Sequence, residues 1–163
     1  MKLYYNPQSR AVITKWMLDE CGAEYEIVPI DFTKREHKTP EFFKINPAGK
    51  LPALVDGDSK IFEGAAICLY LGDKFSQANL APKIDAPERG RYLSLMVYST
   101  AQLEPAMGDA LLNVQTLPQR GWTVAPPHQV VAAVPSLVRD WGAFGIDRIA
   151  GIARVVIGFE FAV

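Results

Sequence analysis

The residues best suited to bind a ligand surround the corner Lys50-Leu51-Pro52. The proline enters the first position of an apolar strand, where its missing N–H costs no ladder hydrogen bond. An X-Pro bond at such a corner can adopt the cis form. A cis Leu51-Pro52 bond would turn the Leu51 N–H and C=O outward, free to pair with an extended chain. The corner therefore predicts a binding site for a small peptide.

The elements that position this corner alternate between strand and helix. The apolar stripe over residues 9–21 has a period of 3.6 residues and predicts a helix that ends at Gly22. Thr39-Pro40 predicts the start of a short helix, and Asp56-Gly57-Asp58 predicts a hairpin turn. With strands near residues 2–5, 25–30, 53–55 and 60–62 and a helix over 64–75, the order is β-α-β-α-β-β-α. That order predicts an α/β domain whose first crossover is right-handed and parallel.

The rest of the chain divides differently. Residues 77–87 are rich in turn-forming residues and predict a linker between a first domain, 1–76, and a helical domain, 88–163. A helical pattern runs over 88–114. From residue 115 prolines and glycines interrupt it, and lysine and glutamate become scarce, which is not typical of surface helices.

Composition excludes several classes of function. The chain has 163 residues, 49% hydrophobic and 21% charged, with a net charge of −1. Such a balance predicts a packed core and gives no general attraction to nucleic acid or to an anionic membrane. No apolar run is long enough to cross a membrane, and residues 1–7 lack the apolar core of a signal peptide. We expect a cytoplasmic protein in which Cys21 and Cys68 are buried free thiols and no metal site exists.

The N-terminal pattern resembles the thioredoxin-like domain of cytosolic glutathione transferases, most closely their bacterial, theta-like or beta-like branches. The resemblance rests on residues 1–75, through the segment Asn6-Pro7-Gln8-Ser9-Arg10, the segment from Asn46-Pro47 to Pro52, and Glu63 before a helix. It implies a thioredoxin-like domain with a mixed four-stranded sheet, followed by an all-α domain. It also implies that the peptide ligand is glutathione, used as a co-substrate.

In this family the residue before the cis proline, here Leu51, pairs with the cysteinyl backbone of glutathione. Lys50 would meet a glutathione carboxylate, and Glu63 would hold the γ-glutamyl ammonium. The residue after the acid is usually Ser, Asn or Thr and contacts the γ-glutamyl carboxylate. Here it is Gly64, so only backbone N–H groups remain for that anion. A solvated lysine and a capping glutamate are the simpler alternatives.

The resemblance also names residues near the glutathione thiol. Asn6 matches the position of a catalytic serine in theta-like enzymes, and Ser9 offers the nearest hydroxyl. Tyr5 ranks third, and Arg10 would support the site electrostatically. All of these residues could instead cap the helix or pack. His37 matches a histidine that approaches the glycine carboxylate, and a solvated loop histidine is the alternative.

In the second domain the helix carrying Tyr98, Ser99, Gln102 and Met107 would face a second substrate, or would only pack between the domains. In the family a later, central helix of this domain begins with a Ser/Thr-x-x-Asp box. In this chain Gly151 and Arg154 occupy the corresponding positions, and the chain ends at Val163. We hypothesise a truncated or frame-disrupted second domain.

Together these features predict a glutathione transferase that conjugates the thiolate of glutathione to a small electrophile. A glutathione-dependent disulfide reductase or peroxidase, a non-catalytic binding or assembly module and a poorly folding fragment are the alternatives. The expected partners are a small electrophile or disulfide and, from the family, a second copy of the chain. Neither nucleic acid nor a membrane is expected.

Overall fold

The computed structural model describes residues 1–106, so the predictions for residues 107–163, including the truncated second domain, lie outside the described residues. The described part begins with an α/β unit. Its four-stranded sheet has the order β2-β1-β3-β4. The strands are β1 (Lys2–Tyr5), β2 (Glu26–Pro29), β3 (Ala53–Asp56) and β4 (Ser59–Phe62). The β1 and β2 strands are parallel, and the other two pairs are antiparallel, which confirms the predicted mixed sheet.

Helices connect these strands and form the part of the described chain that follows them. The α-helices are α1 (Ala11–Glu20), α2 (Pro40–Phe43), α3 (Gly64–Lys74) and α4 (Arg89–Tyr98). Short 3-10 turns lie at Glu36–Lys38 and Ser76–Ala78, and α4 continues as a π-helical segment over Ser99–Leu103. The predicted helix over 88–114 is therefore present as far as the description reaches. None of the described helices is long and apolar enough to cross a membrane.

Local chemistry explains where α2 begins and where α1 ends. The Thr39 hydroxyl accepts a hydrogen bond from the Phe42 N–H at 3.2 Å, and Pro40 occupies the first position of α2, as the sequence predicted. Gly22 follows α1 with a φ of +64°, a conformation that glycine adopts without steric cost.

The main core lies between the sheet and helices α1 and α3. Alternation along the strands turns Leu3 and Leu54 inward, and both are fully buried. They join buried residues of the three neighbouring helices in one cluster: Met17, Leu18, Ile67, Cys68, Leu71, Tyr92, Leu95 and Met96. A smaller cluster comprises Ile30, Phe42 and Ala53. Helix α4 thus shares the core of the α/β unit.

One partly buried arginine fixes the start of α4. The Arg89 guanidinium donates to both carboxylate oxygens of Asp73 at 2.8 Å and to the Pro82 carbonyl at 3.0 Å. Such a bidentate pair holds a fixed geometry. The segment predicted as a linker is therefore tied at both ends, although its role as a domain boundary stays a prediction.

Candidate functional site

The register of the sheet brings the predicted site residues to one end of the strands. Tyr4 of β1 pairs with Ala53 of β3, and Ala53 pairs in turn with Phe62 of β4. Both pairs are antiparallel, so the segment after β1 and the residue after β4 emerge where Leu51-Pro52 enters β3. Asn6, Leu51 and Glu63, which are distant in sequence, consequently share one end of the sheet.

The corner before β3 has the predicted backbone form: the Leu51-Pro52 bond is cis. Among the described residues neither the N–H nor the C=O of Leu51 has a hydrogen-bond partner. The preceding carbonyl, that of Lys50, accepts a bond of 2.7 Å from Nδ2 of Asn46, a side chain only 2% exposed. The Lys50 side chain itself is exposed. The corner can thus offer a peptide donor and acceptor to an extended ligand.

A neighbouring loop packs against this corner. Lys38 donates from Nζ to the Gly49 carbonyl at 2.7 Å. Gly49 has a φ of +59°, and a Cβ there would lie 2.7 Å from the Phe43 ring and 3.0 Å from the His37 carbonyl, so only glycine fits. The turn bearing His37 and the loop bearing Lys50 are therefore held side by side, and the exposed Lys50 ammonium makes this end of the sheet suitable for a carboxylate.

His37 is half-buried within this arrangement. Its ring contacts Phe32 edge-on, with 4.8 Å between the ring centroids. Its Nδ1 atom is buried and has no hydrogen-bond partner among the described residues. A buried polar atom without a partner is costly, so this nitrogen leaves the turn less stable than a paired one would.

Glu63 precedes α3 in a strained conformation. Its φ is +69°, which is uncommon outside glycine and typical of functional positions. The carbonyl accepts the first helical bond, from the Ile67 N–H at 3.0 Å, and the exposed carboxylate caps nothing. The N–H groups of Gly64 and Ala65 have no acceptor among the described residues. An exposed carboxylate thus adjoins free N–H groups at the positive end of a helix, which suits a ligand carrying both an ammonium and a carboxylate.

The turn after β1 uses its polar side chains internally. Asn6 donates from Nδ2 to the Ile30 carbonyl at 2.7 Å and accepts at Oδ1 from the Gln8 N–H at 2.8 Å. The Ser9 hydroxyl donates to the Asn6 carbonyl at 2.7 Å and accepts from the Ala11 N–H at 3.2 Å. One N–H of the Asn6 amide remains for a ligand, whereas the single proton of Ser9 has an acceptor.

The remaining residues of this region act differently. Tyr5 packs against the main core cluster. Arg10 forms an ion pair with Glu104, whose side chain is 14% exposed. This pair joins the start of α1 to the helical turn that follows the π-helical segment. Tyr98, Ser99 and Gln102 lie at that segment, where the Ser99 hydroxyl donates to the Leu95 carbonyl at 2.8 Å; Met107 lies outside the described residues.

The two cysteines are free and buried, as predicted, and are not part of this site. Burial raises the pKa of the Cys21 thiol to about 11 and that of the Cys68 thiol to about 12. Both thiols are therefore protonated and unreactive near neutral pH. Within residues 1–106 no cluster of histidine, cysteine, aspartate and glutamate side chains could hold a metal ion.

Sequence reasoning missed two residues that shape the site. The sequence assigns no site role to Asn46 or Lys38, although Asn46-Pro47 is part of the segment that carries the family resemblance. Both act on carbonyl groups of the loop before Leu51. The signal for Asn46 was an amide side chain directly before Pro47 and four residues before the carbonyl it binds.

The N-terminal part of this chain is similar to known proteins. Residues 1–73 match the family model for the glutathione S-transferase N-terminal domain. Glutathione S-transferase 3 of Zea mays is 46% identical over 77 residues, covering 47% of this chain and 35% of the relative. Probable glutathione S-transferase GSTF2 of Oryza sativa subsp. japonica is 38% identical over 115 residues, covering 71% of this chain and 52% of the relative. The chain thus spans about half, or less, of the length of these curated relatives.

Solved structures show the same similarity. A glutathione S-transferase-I bound with lactoylglutathione superposes with a TM-score of 0.65 at 29% identity, covering 96% of this chain and 80% of the other. The bacterial beta class glutathione S-transferase of Sphingomonas chungbukensis superposes with a TM-score of 0.62 at 26% identity, covering 96% of this chain and 80% of the other. Residues 1–73 of this chain thus form a glutathione S-transferase N-terminal domain with the thioredoxin-like fold described above.

Proposed function

We propose that this chain binds glutathione and conjugates its thiolate to a small electrophile. One observation carries the proposal: the unpaired peptide groups of Leu51 lie at the same edge of the sheet as the Glu63 carboxylate and the free N–H groups of α3. Glutathione is a short extended peptide with an ammonium and a carboxylate at its γ-glutamyl end. The two sets of groups are complementary. The relatives named above support the same ligand.

Each part of glutathione then has a partner. The Leu51 N–H and C=O bind the cysteinyl main chain, which requires no particular side chain at that position. Glu63 pairs with the γ-glutamyl ammonium, and the N–H groups of Gly64 and Ala65 bind the γ-glutamyl carboxylate. Lys50, which is exposed, and the accessible part of the His37 ring face the glycine carboxylate.

The reaction requires a thiolate at neutral pH. The positive end of α1 lowers a nearby thiol pKa, and the remaining N–H of Asn6, or the Ser9 hydroxyl after rotation, donates to the sulfur. Arg10 supports the same helix end through its ion pair with Glu104. The thiol proton passes to water, and the sulfur forms a bond to the electrophilic carbon. In a substitution the leaving group departs with the electrons of its bond, and in an addition the adduct takes a proton from water. Four further points remain predictions: the identity of the electrophile, a homodimeric assembly, the division into domains at residues 77–87 and a cytoplasmic location.

A second candidate, a binding module without turnover, has one observation in its favour. The Ser9 proton and one Asn6 N–H already have backbone acceptors, at 2.7 Å in both cases. A thiol activator must give up such a bond or use its remaining donor. This geometry therefore makes activation of the thiol weaker than binding of the peptide.

Calorimetry with glutathione, followed by assays with one electrophile and one disulfide, separates these functions. We expect binding below millimolar glutathione and conjugation of the electrophile. Binding without turnover would favour the module, and turnover of the disulfide alone would favour a reductase. No binding at millimolar glutathione would exclude every one of these functions.

A matched pair of variants tests the site. Glu63→Ala should reduce glutathione affinity about tenfold or more, because it removes the partner of an ammonium. Glu24→Ala is the control, since Glu24 is exposed and precedes β2 at the opposite end of the sheet. Equal affinities of the two variants would show that Glu63 does not bind the ligand.

A further inference from the structure

We propose that Asn46 is a positioning residue that aims the Leu51 N–H at the bound peptide. The inference rests on the proposed glutathione site for its consequence, but its structural step can be tested on the free protein. Asn46 makes no contact with the ligand in this arrangement. It acts through the Lys50–Leu51 peptide group.

Asn46 is fully engaged within its own loop. Its side chain is 2% exposed, its Oδ1 accepts from the Ala48 N–H at 2.9 Å, and its Nδ2 donates to the Lys50 carbonyl at 2.7 Å. Its backbone carbonyl accepts from the Gly49 N–H at 2.9 Å. A buried amide with both ends satisfied holds one conformation, because losing either bond would leave a polar group unpaired.

The geometry of a peptide group transmits this order to Leu51. The Lys50 C=O and the Leu51 N–H belong to one planar trans peptide, so the two bonds point in opposite directions. Asn46 binds the carbonyl from the buried side. The Leu51 N–H must therefore point away from Asn46, and it has no partner among the described residues. A hydrogen bond to the carbonyl also polarises the peptide and strengthens its N–H as a donor.

A second contact fixes the preceding peptide. Lys38 donates from Nζ to the Gly49 carbonyl at 2.7 Å, and Gly49 is packed too closely for any side chain. Two successive carbonyls before Leu51 are thus held by side chains, one by Lys38 of the turn before α2 and one by Asn46 of the same loop. A ligand that pairs with Leu51 finds the donor already oriented, so little ordering is required on binding.

Two variants separate positioning from loop formation. Asn46→Asp retains the acceptor for Ala48 and removes the donor to Lys50, but it adds a buried negative charge. Asn46→Ser retains an acceptor close to the turn, cannot reach the Lys50 carbonyl and adds no buried charge. Thr14→Val is the matched control, because Thr14 is buried and its hydroxyl has no partner among the described residues.

The first measurement is the chemical shift of the Leu51 amide proton in the ligand-free protein. We expect an upfield shift in both Asn46 variants, because the peptide loses its polarising partner, and no change at Leu51 in Thr14→Val. A Leu51 shift unchanged in a folded Asn46→Ser protein would overturn the proposal. Thermal melting of each variant establishes that it is folded.

The second measurement compares glutathione with an alkene isostere that lacks the cysteinyl carbonyl, the acceptor for the Leu51 N–H. The wild type should bind glutathione about tenfold more tightly than the isostere, whereas Asn46→Ser should bind the two alike. Retained discrimination in Asn46→Ser would contradict the proposal. If the wild type binds neither compound, the proposed glutathione function fails, and the amide shift still decides whether Asn46 positions Leu51.

Discussion

Asn6 and Ile30 are joined by a hydrogen bond of 2.7 Å from the asparagine Nδ2 to the isoleucine carbonyl. The Ile30 N–H in turn donates to the Tyr5 carbonyl at 2.8 Å, so two bonds fasten the ends of the parallel strands β1 and β2. Asn6 thus helps to hold β1 and β2 together at the end of the sheet where the ligand is proposed to bind. Stability and chemistry are coupled at this position, and variants must distinguish them.

Asn6→Asp removes the donor to Ile30 and keeps the acceptor for Gln8. We expect the free energy of unfolding in urea to fall by about 1–3 kcal/mol, because the Ile30 carbonyl loses its partner. The pKa of bound glutathione, followed by thiolate absorbance, should rise because the spare N–H is also lost. Asn79→Asp, at an exposed position with φ of +53°, is the control. An unchanged unfolding energy in Asn6→Asp would show that the bond to Ile30 contributes nothing.

Ser9→Ala tests the other thiol candidate. The hydroxyl accepts from the Ala11 N–H at the start of α1, so we expect a loss of about 0.5–2 kcal/mol in unfolding free energy. Ser9→Thr should restore most of it. Because the Ser9 proton is donated to the Asn6 carbonyl, the pKa of bound glutathione should change less than in Asn6→Asp. A larger change in Ser9→Ala would make Ser9 the thiol donor.

The sequence predicted the elements well where local chemistry determines them. Thr39-Pro40 set the start of α2, and Gly57, with a φ of +58°, lies in the predicted hairpin turn. The predicted α1, 9–21, is longer than the observed Ala11–Glu20, since Ser9 and Arg10 form the entry turn instead. Such shifts at helix ends arise because caps and turns compete for the same backbone groups.

Long-range contacts could not be predicted in this way. The ion pair of Arg10 joins it to Glu104, and no periodic pattern links positions so distant. The positive φ of Glu63 is likewise imposed by the hairpin and α3 together, because glutamate itself disfavours it. The candidate site residues could be named from the sequence, whereas their hydrogen-bond partners depended on tertiary structure.

Gly64→Ser should increase the affinity for glutathione. A Cβ at this position meets no atom within 4 Å, so the side chain can be added without displacement. The new hydroxyl could donate to the γ-glutamyl carboxylate, a gain of about 0.5–1.5 kcal/mol or roughly twofold to tenfold in dissociation constant. Gly64→Ala is the matched variant for calorimetry. Equal gains in both variants would attribute the effect to the helix rather than to the hydroxyl.

The Arg10–Glu104 pair should stabilise the contact between α1 and the helix after α4. A double-mutant cycle with Arg10→Met and Glu104→Gln should give a coupling energy of about 0.2–1 kcal/mol, because Arg10 is 54% exposed and solvent screens the pair. Raising the salt concentration should reduce that coupling. Additive effects of the two substitutions in urea unfolding would show that the pair contributes no stability.

Asp56 should make the stability of the α/β unit depend on pH. Hydrogen bonds from Lys74 and Tyr70, the latter 2.6 Å long, lower the pKa of the Asp56 carboxyl below its ordinary value. A depressed pKa in the folded state adds stability above the unfolded pKa, and this stability is lost as the pH falls through the folded value. We therefore expect Asp56→Asn to lower the urea midpoint at pH 7, with the difference from wild type vanishing in acid.

Asp58→Asn provides the control for this pH series. Asp58 is exposed in the same turn and has no hydrogen-bond or ion-pair partner among the described residues. The urea midpoint of the Asp58→Asn protein should equal that of the wild type at every pH. A constant deficit of Asp56→Asn from neutral to acidic pH would indicate that the loss comes from altered packing or turn geometry, because only an ionised Asp56 can attract the Lys74 ammonium.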